Sequence, residues 1–325
     1  KPSNATSRNR GGSHRKFSSS CSISSSEGCP AFKPEPQRRA RRRVLHSLNN
    51  VGSSEVTQKD WVEIAQTIER YYDEFEGFVV VHGTNTMSYT AAALGFALQG
   101  LSKPVILTGA LLPINDISGD GRMNLVYAIR AAQLDIAEVC VVLGPRVLRG
   151  CRSKKVDQSL LQTFDTTRIP PLAEFNEGVH LGEHRAVRRK RQLLCRPTFD
   201  SHVAAVTLHP GIEPAFLDAI LSTKPHGIVM RAYGPGMLPE WLFPWLRRVT
   251  AQGVPILMTS QTIRGKIDLH RFRKQTTLEQ FGVISGKDMT FECALVKLMW
   301  ALTQTTNGHR LRELMERSLV GELEE

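Results

Sequence analysis

A short run of hydroxyl and amide side chains follows directly after an apolar segment of the chain. The run is Gly83-Thr84-Asn85-Thr86-Met87, and it comes after the apolar residues 78–81. An apolar run between glycines predicts a strand covered on both faces, and ligands of open α/β sheets bind just beyond the carboxyl ends of such strands. We therefore expect residues 84–86 to face a crevice. The junction alone also allows that Thr84 or Thr86 merely caps the next helix.

A second candidate for chemistry is a lysine in a basic stretch further along the chain. The stretch is Arg152-Ser153-Lys154-Lys155-Val156-Asp157. A lysine acts as a base only after its ammonium loses a proton, and burial lowers the pKa of a lysine from its ordinary value of about 10.4. The pattern alone favours a solvent-exposed pair of lysines, with a functional Lys155 as the alternative.

The elements that must position these residues alternate between helix and strand. Apolar residues recur at helical spacing from Trp61 to Phe75 and predict an amphipathic helix that stops at Gly77. Strands are predicted at 78–82, 104–108 and 138–143, and helices near 86–99 and 122–134. Such alternation is typical of a parallel sheet with helices on its faces.

The second half of the chain resumes this alternation after a break. Residues 176–202 contain glycines, a basic run and Pro197, and we interpret them as a linker whose basic run is solvated charge. Beyond it, strands are predicted at 203–208, 227–230 and 255–258, and helices near 214–222, 240–251, 290–302 and 309–318. The sequence therefore predicts an α/β protein with a tail (1–43), a larger N-terminal domain (44–175), the linker (176–202) and a smaller C-terminal domain (203–325).

The positive charge of the chain is concentrated at its beginning. Residues 1–50 hold eleven Lys and Arg against two Glu, a net charge of +9 out of a total of +11. The rest of the chain is nearly neutral, so the charge does not predict a nucleic-acid partner. We expect residues 1–43 to be disordered, because they hold too little apolar surface to order themselves. Their Arg-rich, Ser-rich composition is also typical of organellar transit peptides.

Several other classes of protein are not supported by the sequence. It has no apolar run long enough to cross a membrane and no glycine-rich nucleotide-binding motif. Its six cysteines show no metal-ligand spacing, and their scatter favours a reducing, cytoplasmic setting, with an organelle as the alternative. We expect neither a metal nor a cofactor.

Several motifs, taken in chain order, resemble those of the asparaginase and glutaminase amidohydrolase family. Residues 83–87 are similar to its Gly-Thr-Asp-Thr-Met motif. The other matching segments are Thr108-Gly109-Ala110, Gly119-Asp120-Gly121-Arg122-Met123-Asn124-Leu125, residues 149–157, His209-Pro210-Gly211-Ile212, Ser260-Gln261 and residues 282–290. Together these segments place the resemblance roughly over residues 45–323.

The resemblance implies a two-domain α/β fold that hydrolyses the side-chain amide of L-asparagine without a cofactor, as a dimer or tetramer. The residues that it implies are Thr84, Asn85 and Lys155 for catalysis and Ser53, Ser54, Gly83 and Ala110 for substrate binding, with no metal. Catalysis would use a hydroxyl, a lysine and an acid as a proton relay. For Ser53 and Ser54, an ordinary helix N-cap is the alternative.

Two departures from the family pattern bear on activity. Family members open with a strand ending in Thr-Gly-Gly-Thr, whose first Thr is the nucleophile, whereas here Gly-Gly occurs only as Gly11-Gly12, before Ser13. Asn85 stands where the family has Asp, so a neutral amide replaces the carboxylate of the relay. A sheet that lacks a central strand should have two unpaired edges and be marginally stable unless another chain fills the gap.

Two functional hypotheses follow from the matches and the departures. In the first, the chain is an L-asparagine amidohydrolase whose threonine-bearing first strand is missing from this sequence. In the second, it is a non-catalytic homologue that binds an amino acid or serves as the regulatory partner of a full-length relative. The missing strand alone favours the first hypothesis, and Asn85 favours the second.

Overall fold

The computed structural model describes residues 44–112, 114–271 and 273–324, with residues 273–275 described by their backbone only. The strands are β1 (Phe78–Val81), β2 (Leu98–Gln99), β3 (Val105–Thr108), β4 (Val139–Val142), β5 (Arg146–Arg149), β6 (Ser153–Lys155), β7 (Phe164–Thr166), β8 (Ala173–Phe175), β9 (Val179–Leu181), β10 (Leu194–Cys195), β11 (Val203–Thr207), β12 (Gly227–Ala232), β13 (Ile256–Ser260) and β14 (Ile284–Ser285). The helices are α1 (Gln58–Arg70), α2 (Met87–Ala97), α3 (Gly121–Ala131), α4 (Pro214–Ser222), α5 (Phe243–Ala251), α6 (Arg273–Gln280), α7 (Phe291–Gln304) and α8 (Gly308–Glu316). The expected disorder of residues 1–43 lies outside the described residues.

A six-stranded sheet with the order β1-β3-β4-β5-β8-β9 organises the first half of the fold. Strands β1, β3 and β4 are parallel, and the strands beyond them pair antiparallel. Helix α2 packs between this sheet and α7, and ten of its eleven residues are buried. Its alanines and Gly95 allow this close approach, because small side chains keep neighbouring backbones near one another.

The second half of the fold is built on a parallel sheet with the order β11-β12-β13-β14. This arrangement confirms the predicted α/β class and the two-domain architecture. The stretch that the sequence predicts as a linker contains two short strands, β9 and β10. Strand β9 joins the first sheet through a hairpin with β8, whose turn is closed by a hydrogen bond from Asn176 N to Gly178 O at 3.0 Å.

Strand β1 forms one end of the first sheet, because among the described residues it pairs only with β3. The missing strand predicts two unpaired edges around a central gap, and the described residues show one such edge, on β1. The segment of residues 44–51 lies in no helix or strand. The carboxyl end of β1 therefore leads into residues 83–86 without a second neighbouring strand from the described chain.

A buried ion pair fixes the C-terminal segment against the second half of the fold. Lys297 Nζ lies 2.6 Å from Glu322 Oε1, and both side chains are fully buried. Glu322 also accepts the backbone N–H groups of Leu319 and Val320. Lys297 in turn donates to the carbonyl of Met315. The pair is thus surrounded by further hydrogen bonds, as a buried ion pair must be to offset its desolvation.

Replacing Glu322 with Ala should lower the free energy of unfolding by about 3–5 kcal/mol, because Lys297 would be left charged and buried without its partner. Urea denaturation measures the loss. The double variant Lys297→Met/Glu322→Gln removes both charges and keeps an acceptor for the backbone. It should lose less than Glu322→Ala, and an equal loss would show that the charge of Lys297 is not what matters.

Candidate active site

Lys155 lies at the end of β6, and its side chain reaches the loop that follows β1. Its Nζ donates hydrogen bonds to Thr84 Oγ1 and to Asn85 Oδ1, each at 2.8 Å. Thr84 is buried and Lys155 is half-buried. The structure therefore brings together the three residues that the resemblance implies for catalysis. It does not support the alternative in which Lys155 is simply a solvent-exposed neighbour of Lys154.

Ion pairs with the second half of the fold hold the strand that carries Lys155. Arg152 Nη1 lies 2.6 Å from Asp288 Oδ2, and both side chains are almost completely buried. Lys154 pairs with Glu292, at the start of α7. Lys155 directly follows these two anchored residues, so its position depends on both halves of the fold. Sequence reasoning did not identify the partners Asp288 and Glu292, because no local pattern links positions so distant in the chain.

Ser53 fixes the backbone of the loop after β1. Its Oγ accepts the backbone N–H of Asn85 at 3.2 Å, and its carbonyl accepts the hydroxyl of Thr86 at 2.6 Å. Ser53 also packs so closely on Gly83 that a Cβ at position 83 would lie 2.7 Å from the Ser53 side chain. Position 83 therefore requires glycine. The observed role of Ser53 is to fix the backbone of the loop that carries Thr84 and Asn85.

The helix-cap alternative predicts capping hydrogen bonds that these serines and threonines do not make, although Thr86 occupies the N-cap position of α2. The N-cap of α1 is Thr57, which forms a capping box with Asp60. Thr86 precedes α2, but its hydroxyl bonds to Ser53 and makes no capping hydrogen bond. Ser54 is exposed, and it makes no hydrogen bond to the described residues around Lys155.

A cavity of about 480 Å³ lies beside this loop. Gly83 and Ala110, both implied as substrate-binding residues, line it, whereas Thr84, Asn85 and Lys155 do not. Asp120 Oδ1 accepts a hydrogen bond at 3.1 Å from the backbone N–H of Leu111, the residue after Ala110. This bond holds the turn at Ala110. The matched segment 119–125 thus supports the rim of the cavity.

His82 extends the hydrogen-bond network beneath the loop. Its Nδ1 lies 2.7 Å from the carbonyl oxygen of Gly83, and its Nε2 lies 3.0 Å from Thr90 Oγ1. A carbonyl can only accept, so Nδ1 carries the proton, and the neutral ring accepts at Nε2. Trp61 Nε1 donates to the same Thr90 hydroxyl. Burial lowers the pKa of His82, although its bond to the Gly83 carbonyl acts in the opposite direction.

Within the described ranges, no cluster of three or more His, Cys, Asp or Glu side chains has a geometry suited to a metal ion. None of the helices in these same residues is long and apolar enough to span a membrane.

The chain matches the sequence models of two family domains. The model of the asparaginase N-terminal domain matches residues 12–187, and that of the glutaminase/asparaginase C-terminal domain matches residues 202–315. The first match begins at residue 12. The motifs that resemble the family begin only near residue 45.

Individual relatives agree with this assignment. L-asparaginase 1 of Escherichia coli K12 is 34% identical over 277 residues, which cover 83% of this chain and 81% of that protein. The human 60 kDa lysophospholipase is 37% identical over 298 residues, which cover 89% of this chain and only 52% of the human protein. The structure of the thermostable L-asparaginase from Thermococcus kodakarensis is similar with a TM-score of 0.81 and 33% identity, over 86% of this chain and 85% of that one.

The fold is a two-domain α/β fold in which Lys155, at the end of β6, contacts a hydroxyl and an amide in the loop after β1. The chain belongs to the asparaginase family. The family and the fold implied by the sequence motifs are thereby confirmed.

The depressed pKa of His82 predicts that stability falls with acidification. Below the ordinary histidine pKa of about 6.5, the unfolded chain binds a proton that the folded chain does not, so the free energy of unfolding decreases as pH falls. In His82→Asn, the side-chain amide can still donate to Gly83 but does not titrate. When the pH is lowered from about 7.5 to about 5.5, the free energy of unfolding of the parent, measured by denaturation, should fall more than that of the variant. Equal losses would assign the pH dependence to other groups.

Proposed function

We propose that the protein binds L-asparagine beside Lys155 and hydrolyses its side-chain amide slowly. The observation that carries this proposal is the pair of 2.8 Å hydrogen bonds from Lys155 Nζ to Thr84 and Asn85. Family membership and the L-asparaginases among its relatives support asparagine as the substrate. The human relative named as a lysophospholipase is matched over only about half of its length, and it does not direct the proposal.

The proposed chemistry starts with proton transfer from a hydroxyl to an amine. Because this sequence lacks the Thr-Gly-Gly-Thr motif that carries the family's nucleophile, the proposal gives that role to Thr84. Lys155, as the neutral amine, removes the proton of Thr84, and the Thr84 oxygen attacks the amide carbon of the substrate. The new ammonium then gives this proton to the departing nitrogen, which leaves as ammonia, and water hydrolyses the remaining ester. The proton is thus returned within one turnover.

Asn85 sets the expected rate of this reaction. Its Oδ1 accepts a hydrogen bond from Lys155 and orients the amine, but it carries no charge to stabilise the ammonium that forms during proton transfer. Replacing the acid of a hydroxyl–histidine–acid triad by its amide reduces turnover by about 10⁴. We expect a loss of the same kind here, and therefore a slow reaction.

Other features of the protein are proposed on family grounds alone. We propose domain boundaries at 44–175 and 203–325, joined by residues 176–202, of which β9 pairs with the first sheet. We also propose that the protein forms a homo-oligomer and acts in the cytoplasm. Ser54 remains a proposed substrate contact, together with Ser53, Gly83 and Ala110.

Restoring the carboxylate should raise activity. In Asn85→Asp, release of ammonia from L-asparagine should be at least about tenfold faster than in the parent, because the carboxylate balances the charge of the Lys155 ammonium. The matched control is Asn307→Asp, which makes the same change at the N-cap of α8 and leaves an acceptor for Arg310 N. This control should not change the rate.

A second pair of variants tests whether the gain passes through Lys155. Adding Lys155→Met or Thr84→Val to Asn85→Asp should abolish ammonia release while retaining side-chain size. A rise that survives either addition would place the chemistry elsewhere. Binding of L-asparagine by calorimetry without turnover in any variant would instead identify a non-catalytic homologue.

A further inference from the structure

A basic run outside the candidate site lies in the segment between β9 and β10. It consists of Arg188-Arg189-Lys190-Arg191. The fold binds its first residue, because Arg188 Nε donates to the carbonyl of Leu134 at 2.8 Å and its backbone N–H donates to Asp135 Oδ1 at 2.9 Å. The next three side chains are exposed, and no described residue forms a hydrogen bond or an ion pair with them. The run therefore combines one anchored arginine with three cations that the fold does not use.

The backbone that follows Arg188 is also unpaired. Residues 189–193 lie in no helix or strand, and within the described chain they make no backbone-to-backbone hydrogen bond. The chain is fixed again at Leu194, because β10 pairs with β2 there. We call residues 188–194 the basic strap, which is held at its two ends and free between them. Segments with few backbone hydrogen bonds open locally at little cost in free energy.

These properties are the ones that a trypsin-like endoprotease requires of its substrate. Such enzymes bind the substrate chain in extended form, through hydrogen bonds to its backbone. A carboxylate in their specificity pocket selects Arg or Lys before the cut. The basic strap supplies both the unpaired backbone and the cations. Arg191 lies midway between the two ends of the strap, so the bond that follows it can leave the surface with the least disturbance of either anchor.

We propose that the basic strap is a cleavage site for trypsin-like endoproteases, and that the chain cut after Arg191 remains folded as two associated fragments. In this hydrolysis, water adds across the peptide bond between Arg191 and Gln192. The new carboxylate forms on Arg191, and the new amino group forms on Gln192. The inference concerns processing of the chain and does not depend on the proposed hydrolase activity.

Other pairs of basic residues fit these requirements less well. Arg247 and Arg248 are exposed but lie within α5, so their backbone is hydrogen-bonded along the helix. Lys154 and Lys155 lie in β6, which pairs with β7, and both of their side chains are bound. A protease has to unfold either element before it can cut there.

Buried contacts hold together the two fragments that this cut creates. Phe96 of α2 lies before the cut and stacks on Trp300 of α7, which lies after it, with 6.0 Å between the ring centres. The buried ion pair of Arg152 and Asp288 also joins the two fragments, as does the pairing of β2 with β10. The cut removes one covalent bond of an exposed segment and none of these contacts, so the fold should persist.

Limited digestion of the folded full chain with trypsin tests the proposal. Outside residues 1–43, the first cut should fall after Arg191 and release a fragment that begins with Gln192, identified by intact mass and N-terminal sequencing. Cleavage there should be at least about a hundredfold faster than after Arg247 or Arg248, because those bonds become accessible only when α5 opens. Cuts within residues 1–43 are distinguished by mass and do not enter the comparison.

Three variants separate the basic strap from basic charge in general. Arg189→Gln/Lys190→Gln/Arg191→Gln removes the three exposed cations and keeps the Arg188 anchor, so the cut after residue 191 should be abolished. Gln192→Pro keeps all three cations but has no N–H at the bond, and it should slow cleavage after Arg191 at least about tenfold. Arg247→Gln is the matched control, since it removes an exposed arginine outside the strap and should leave the rate unchanged. All of the changed side chains are exposed, so these variants should fold like the parent.

Size-exclusion chromatography of the digest tests the association of the fragments. The two fragments should elute together at the volume of the uncut protein and separate only in denaturant. If they separate in buffer, the covalent connection and not the buried contacts holds them together, and the proposal is wrong on this point. A first cut outside the strap, or equal cleavage of the parent and Gln192→Pro, would show that the strap is not a preferred substrate. Cleavage of the strap only at high salt would assign the basic run to an acidic partner instead.

Discussion

Among the described residues β1 pairs with β3 on one side only, and this is the constraint on which the site depends. The loop after β1 carries Thr84 and Asn85, and a second neighbouring strand would ordinarily fix such a loop through its backbone. Here side chains do so instead. Ser53 binds the Asn85 amide, Lys155 binds the Thr84 and Asn85 side chains, and the His82 ring binds the Gly83 carbonyl. The geometry of the site is therefore held by hydrogen bonds that each depend on a single residue.

The lysine at the centre of the site is positioned by the other half of the fold. The buried pair of Arg152 and Asp288 lies in the segment just before Lys155, and Asp288 also accepts the backbone N–H of Glu324. Breaking a buried ion pair leaves an uncompensated charge, which is strongly destabilising. The position of Lys155 is thus coupled to the packing of the C-terminal segment. This coupling explains how a half-buried lysine is kept within hydrogen-bond distance of the loop after β1.

The sequence predicted the parts of the fold that repeat a strong local pattern. The apolar run of β1, bounded by glycines, and the helix α4, which begins at Pro214, lie where the pattern places them. The short antiparallel strands β5 to β9 were not predicted, because segments of three or four residues carry too little periodicity. In the site, Thr84 and Lys155 were implied by family motifs. Asp288 and His82 were missed, since their roles arise from contacts that no local spacing encodes.

Residue-resolved amide hydrogen exchange along β1 tests the central claim most directly. If β1 is paired on one side only, the amides of Val80 and His82, which face β3, should exchange slowly in the isolated protein. Those of Val79 and Val81, which face the free edge, should exchange about a hundredfold faster or more. Four amides that are equally protected would contradict the account, because they would show that β1 is already paired on both sides.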